Sequence, residues 1–260
     1  MTVAAEEKAI LDQLMAMSRA LGDPARDYVI LGEGNTSARI GEARMYVKAS
    51  GVRLEGASAD GFVEVRRDAV LAMLDAGDLG DAEIERRLRE AMVDRSSPRR
   101  PSVETLLHAY LLGLEGVEFV GHTHPTAVLA ILCSREGKEA LAGRIYPDEI
   151  VVCGPGPLFV DYVDPGVPLA RAIREQAQRY VDEHGAPPQA VLMQNHGLIA
   201  LGATAAQVEA VTATWVKTAR ILAGAMAFGG PRFLSDESVD RICTRPDEHY
   251  RRRGITGDAR

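Results

Sequence analysis

Apolar residues first recur at helical spacing over Ala4–Leu21, where Ile10, Leu11, Leu14, Met15 and Leu21 share one side. Gly22–Pro24 ends that helix. The period then shortens. Tyr28–Leu31, Ser37–Ile40 and Met45–Lys48 are brief strand-like runs, Gly41–Ala43 turns between the last two, and Phe62–Val65 adds a fourth. Helical spacing returns over Leu71–Asp94, with an interruption around Gly77–Asp81 that predicts two helices. The charge run Glu83–Glu90 fits a solvated helix face, and Ser96–Pro101 is a connector. Ser102 is an expected N-cap for an apolar helix reaching Leu114. Gly116–Val120 predicts a buried strand, Thr126–Ser134 a helix, Gly137–Gly143 a short helix and Glu149–Val152 a strand. After the rigid turn Gly154–Pro157, Phe159–Gly166 reads as a loop or short extended piece. Val167–His184 is helical, and Ala190–Met193 and Leu198–Leu201 are strands. Thr204 with Gln207 forms a capping box for a helix from Ala205 to about Phe228, and the polar tail contains Leu234–Ile242.

No repeat or low-complexity segment interrupts this order, so one α/β domain with an antiparallel or mixed sheet under helices is expected. At 260 residues the chain is long enough for a sizeable core. Its net charge of −7 argues against nucleic-acid or anionic-membrane partners. An anionic substrate must then be met locally, by backbone amides, a metal or a few placed cations. No basic leader followed by an apolar run is seen, and no stretch approaches the ~20 apolar residues of a membrane span. Cys133, Cys153 and Cys243 are odd in number and form no CxxC pair, which fits a reducing compartment. A cytoplasmic protein is expected.

The glycine-rich stretch Gly32–Ser37 (Gly-Glu-Gly-Asn-Thr-Ser) sits in hairpin grammar, and Ser37 takes the third glycine position of a dinucleotide fingerprint. No helix follows it directly, so the dinucleotide reading fails. This turn and Lys48–Gly51 can instead offer amides and the side chains of Asn35, Thr36, Ser37 and Ser50 to a phosphate or carboxylate, with Lys48 adding charge. Glu104 falls in the first turn of its helix, and His108 stands one turn later as a candidate ligand or a buried, hydrogen-bonded histidine.

The most informative stretch is Gly121–Pro125, Gly-His-Thr-His-Pro. If the preceding strand continues through it, His122 and His124 point to one face, and Pro125 holds His124 extended. His196, at the end of a second buried strand and followed by Gly197, supplies a third imidazole. Three histidines with an open fourth position are the ligand set of a catalytic metal. Glu104 is the candidate acid/base or fourth ligand.

Taken together, Gly34-Asn35-Thr36-Ser37, Lys48-Ala49-Ser50-Gly51, Ser102-Val103-Glu104, His122-Thr123-His124-Pro125 and Asn195-His196-Gly197 resemble the class II aldolase/adducin family, and most closely its L-fuculose and L-rhamnulose 1-phosphate aldolases. The likeness runs from about residue 5 to residue 228. It implies a three-layer α/β/α fold with a largely antiparallel sheet, in a domain covering residues 1–230. Residues 231–260 form a C-terminal tail able to pack on a neighbouring subunit. It further implies zinc (or Mn2+ or Co2+) on His122, His124 and His196, with Glu104 as acid/base and as a ligand when no substrate is bound. Asn35, Thr36, Lys48, Ser50, Gly51 and Ser102 would hold a small, anionic substrate, and the assembly would be a homotetramer with sites at subunit interfaces.

The implied reaction is reversible aldol cleavage of a ketose phosphate or related hydroxy-keto compound through a zinc-stabilised enediolate. Tyr162, or Tyr250 of the tail, is the candidate proton donor to the aldehyde oxygen. His249 and Arg251–Arg253 would serve a subunit contact or the substrate. Val103 stands where the family aldolases often have a second serine, and Ala49 where threonine is common. These departures keep open 4-epimerisation of a sugar phosphate and decarboxylation of a hydroxy-keto or aromatic acid on the same metal site. A non-catalytic adducin-like module is the remaining alternative.

Overall fold

In the computed structural model, which describes residues 2–248, 250 and 254, the apolar runs assemble into one seven-stranded sheet among those residues. The strands are β1 Asn35–Ile40, β2 Arg44–Lys48, β3 Phe62–Arg66, β4 Phe119–Thr123, β5 Leu158–Val160, β6 Ala190–Met193 and β7 Gly197–Gly202. Their spatial order is β3-β2-β1-β4-β7-β6-β5, and every pairing is antiparallel except β5–β6. The helices are α1 Val3–Leu21, α2 Arg67–Asp75, α3 Asp81–Ala91, α4 Thr105–Leu111, α5 Thr126–Leu132, α6 Gly137–Ala142, α7 Pro147–Cys153, α8 Val167–His184, α9 Ala205–Ala225 and α10 Asp236–Thr244.

Strand alternation sorts the side chains into two cores. Val47, Val65, Val120, Met193, Ile199 and Leu201 pack with residues of α2, α3, α4 and α8. Ala38, Phe119, Leu192, Leu198 and Ala200 pack on the other face with residues of α1, α5, α7 and α9, where Trp215 is fully buried. This is the three-layer architecture that the family resemblance implied. Gly121 lies under the close approach of α1 and α9, where a Cβ would sit 2.7 Å from Val208 Cγ1 and 2.9 Å from Leu21 Cδ1. Among the described residues no helix is long and apolar enough to cross a membrane.

Four expectations need correction. Tyr28–Leu31 is not a strand, because Asp27 and Leu31 adopt left-handed conformations (φ +57° and +52°) that turn the backbone away from sheet pairing. Gly116 also turns with φ +74°, so β4 begins at Phe119 and reaches through His122. The run Glu149–Val152 is helical, inside α7. Pro147 opens that helix, and Glu149 accepts hydrogen bonds from Arg144 Nη1 at 2.5 Å and from the Ile145 N–H at 2.9 Å. A fully buried apolar run has no period to betray which element it forms. Finally, Glu104 rather than Ser102 holds the N-cap position of α4.

Candidate metal centre

The fold's central strands place the imidazoles. β4 puts His122 opposite Asn35 of β1 and Ile199 of β7. His124 follows the last residue of β4 and is tied down by its N–H donating to the Tyr28 carbonyl at 2.9 Å. His196 arrives from the turn between β6 and β7, which Asn195 makes with φ +54° and which closes by His196 N–H to Met193 O at 3.1 Å. The one ligand atom of each histidine lies within 4.8 Å of the others.

Glycines make this convergence possible. A Cβ on Gly197 would sit 2.7 Å from Thr123 O, 2.8 Å from His124 Cδ2 and 3.1 Å from His122 Cε1. One on Gly34 would meet His122 O at 2.5 Å, and its φ of +65° disfavours a side chain in any case.

The donor set suits a divalent metal. His122 Nδ1–H donates to Leu198 O at 3.1 Å, which makes Nε2 the lone-pair nitrogen, and in this structure it accepts from His124 Nε2 at 2.9 Å. Such a carbonyl partner fixes the tautomer that a metal ligand needs. His122 is fully buried, and burial lowers both His122 and His124 to about 4, so both are neutral at physiological pH. His196 Nδ1 is buried without a partner. Three ring nitrogens converging within 4.8 Å suit a cation, and their number matches a three-histidine site.

Glu104 stands against this cluster. Its Oε1 is 3.2 Å from His196 Nε2 and 3.5 Å from His122 Nε2, and its Oε2 accepts a hydrogen bond from Asn35 Nδ2. Burial by itself favours the protonated acid. The imidazoles and the Asn35 amide outweigh it and hold the carboxyl well below the usual carboxylate range.

The other residues singled out from the sequence divide. Asn35 is brought to Glu104, but its Oδ1 is taken by His108 Nε2. His108 is no ligand: it is fully buried, and its Nδ1 meets Ser37 Oγ at 2.7 Å. Thr36 is fully buried and its hydroxyl pairs with Ser18 Oγ of α1 at 2.7 Å, so it braces the sheet and presents nothing to a substrate. Lys48 is also buried. Its ammonium donates to Val52 O at 2.6 Å and Gly32 O at 3.5 Å, joining two turns. Burial lowers its pKa to about 8, against the pull of Glu104.

A bridge between Ala49 and Pro101, with Ser50 N–H donating to Arg100 O at 2.9 Å, seats Ser50 and Gly51 beside Ser102. Ser50, Ser102 and Val103 line a cavity of about 460 Å³ with Asp81, Glu85 and Arg100. Tyr162 is exposed and donates to Asp164 Oδ1 at 3.0 Å, and no contact joins it to Glu104 or the histidines among the described residues. Tyr250 is exposed, while His249 and Arg251–Arg253 lie outside the described residues. Glu33 was missed. Its Oε2 lies 3.9 Å from His124 Nδ1 and accepts from Ile30 N–H at 3.0 Å. A carboxylate flanked by two glycines was the available signal.

The family model described as "Class II Aldolase and Adducin N-terminal domain" matches residues 12–223. "Uncharacterized oxidoreductase YuxG" of Bacillus subtilis is 33% identical over 202 residues, which cover 75% of this chain; the chain spans 27% of that protein's length. Methylthioribulose-1-phosphate dehydratase of Sorangium cellulosum is 27% identical over 206 residues, covering 75% of this chain and 82% of that protein. The N-terminal class II aldolase domain of a Thermoplasma acidophilum protein superposes with a TM-score of 0.64 at 25% identity, over 81% of this chain and 92% of that one. L-fuculose 1-phosphate aldolases share the fold at TM-scores of 0.65 and 0.66 and identities of 16% and 18%.

Proposed function

Because the chain belongs to the class II aldolase and adducin family, we propose that it is a metal-dependent lyase that reversibly cleaves a carbon–carbon bond in a small hydroxy-keto compound, a ketose phosphate or a relative of one. The observation that carries this reading is the Glu104 carboxylate lodged against His122 and His196, two of three convergent imidazoles. His122, His124 and His196 would hold the ion, with zinc the favoured identity for three imidazoles. When bound, it supplies a Lewis acid for the oxygens of the substrate.

The protein's own residues carry the proton. In the condensing direction, the carbon next to the carbonyl gives a proton to Glu104, that carbon bonds to the aldehyde carbon, and the aldehyde oxygen takes a proton from solvent. In cleavage the hydroxyl returns its proton to solvent, the carbon–carbon bond breaks, and Glu104 protonates the carbon. Asn35 holds Oε2, so Oε1, on the side of His122 and His196, is the exchanging atom. The Ser50–Gly51 turn and Ser102 bind the remote end of an anionic substrate. Assembly as a homotetramer in the cytoplasm, with the tail after residue 230 on a neighbouring copy, completes the proposal.

A second reading is favoured by the likeness to the dehydratase. Removal of that proton by Glu104, and its delivery to the neighbouring hydroxyl as the carbon–oxygen bond breaks and water leaves, is dehydration rather than cleavage.

One set of measurements separates these. Purified protein is expected to contain about one zinc per chain, lost to chelators with the activity. Incubated with phosphorylated and unphosphorylated ketoses and hydroxy-keto acids, it should release an aldehyde, and Glu104→Gln should stop turnover while the metal stays. Water loss without aldehyde supports the dehydratase, and carbon dioxide supports decarboxylation. A protein without metal and indifferent to chelators sinks both readings.

A further inference from the structure

His108 belongs neither to the metal cluster nor to the substrate-binding turns, yet both of its ring nitrogens are committed. It sits on α4, one turn past Glu104, wholly buried, and faces β1. Its Nε2 meets the carbonyl oxygen of the Asn35 side chain, and its Nδ1 meets Ser37 Oγ at 2.7 Å. On its other side, Asn35 gives its amide N–H to Glu104 Oε2.

These contacts permit only one arrangement of hydrogens. An amide oxygen can only accept, so His108 must carry its proton on Nε2. Nδ1 is then an acceptor, and Ser37 donates to it. Were the Asn35 amide turned over, its oxygen would abut Glu104 Oε2, even though His108 could answer by carrying its proton on Nδ1 and giving it to Ser37 Oγ. Two acceptors would then face each other away from water, so the carboxylate keeps the amide N–H on its own side. Glu104 and His108 therefore hold Asn35 from both ends in one orientation, Nδ2 toward the carboxylate and Oδ1 toward the Nε2–H of His108.

We infer that His108 is a positioning residue: acting through Asn35, it fixes Glu104 Oε2 as the anchored oxygen and leaves Oε1, facing His122 and His196, as the oxygen that exchanges a proton. The neutral ring suits the task, since burial holds it down to about 4 even with Glu104 nearby, Lys48 adding to the effect. The catalytic half of the inference rests on the role proposed for Glu104. The hydrogen-bond half does not, and can be read without any substrate.

The test compares the unsubstituted protein with His108→Leu, which removes the donor, and His108→Gln, whose amide can still donate to Asn35. In protein labelled with 15N-histidine, long-range proton–nitrogen spectra at pH 7 should show His108 protonated on Nε2, with an acceptor-type Nδ1. In protein labelled with 15N-asparagine, one Asn35 side-chain proton should be shifted strongly downfield by the carboxylate. That shift should vanish in His108→Leu and return in His108→Gln.

With a substrate found by the screen above, kcat should fall by roughly 10- to 100-fold in His108→Leu, as for other outer-shell partners, while KM and zinc content hold and His108→Gln recovers. A proton on Nδ1, a charged ring at pH 7, or an Asn35 signal unmoved in His108→Leu overturns the inference. So does an equal loss of kcat in both variants accompanied by loss of zinc, which is what a purely structural role predicts. If His108→Leu fails to fold, the ring tautomer and the His108→Gln spectra still decide. If no substrate is found, the proposed reaction has failed and the spectra judge the inference alone.

Discussion

Gly197 shows how a single missing atom shapes the centre. His196 was readable as a third ligand because it ends an apolar strand before a glycine, but nothing in the sequence says why the glycine is there. The structure does: a methyl group would press on Thr123 O and on the rings of His122 and His124. Gly197→Ala should therefore fold yet bind zinc at least ~10-fold more weakly in a chelator competition, because ligand orientation, not ligand identity, is disturbed. Unaltered affinity would show that the rings have room to yield. Asn35 marks the opposite limit. Its place in a glycine turn was legible and pointed to substrate binding, whereas its actual partners lie 69 and 73 positions away. Local spacing carries no information about such pairs.

Elements with a clear period were read well. The helix Val167–His184 and the strand Ala190–Met193 have the expected bounds, and the break between α2 and α3 falls where Gly77–Asp81 placed it. Elements without a period were not, as with α7, whose run of Ile150, Val151 and Val152 suits a strand as well as a helix until Pro147 and the Arg144–Glu149 pair decide. The packing of elements on each other was also hidden. Gly121 in the Gly-His-Thr-His-Pro stretch serves no metal; it lets Leu21 of α1 and Val208 of α9 close over β4. Gly121→Ala should cost about 1–3 kcal/mol by overpacking, measured by urea denaturation, and Val208→Ala in the same chain should restore part of it. A stability equal to that of the unsubstituted protein would mean that the two side chains move aside freely.

Taken whole, the molecule is built to be acid-sensitive. His108, His122 and His124 all have folded pKa values lowered by burial from 6.5 to about 4. The unfolded chain therefore binds more protons in between, and the stability these groups allow, complete above pH 6.5, is lost as pH falls toward 4. Glu104, held low in the fold, adds to the loss in the more acidic part of that window. The metal-free protein should thus unfold at markedly lower urea at pH 5 than at pH 7, and a midpoint flat across that range would contradict the burial assigned to these rings. The architecture has one more consequence, and it concerns time. His122 and His124 lie on one side of the β4–β7 pairing and His196 on the other, with α5 to α8, β5 and β6 strung between them along the chain. Until that long excursion returns and its last strand docks, two imidazoles wait without a third. The ligand set is thus assembled by a closure whose entropic cost grows with the length of the excursion. An ion gripped by all three arrives as a latch on a finished sheet rather than as a seed for it.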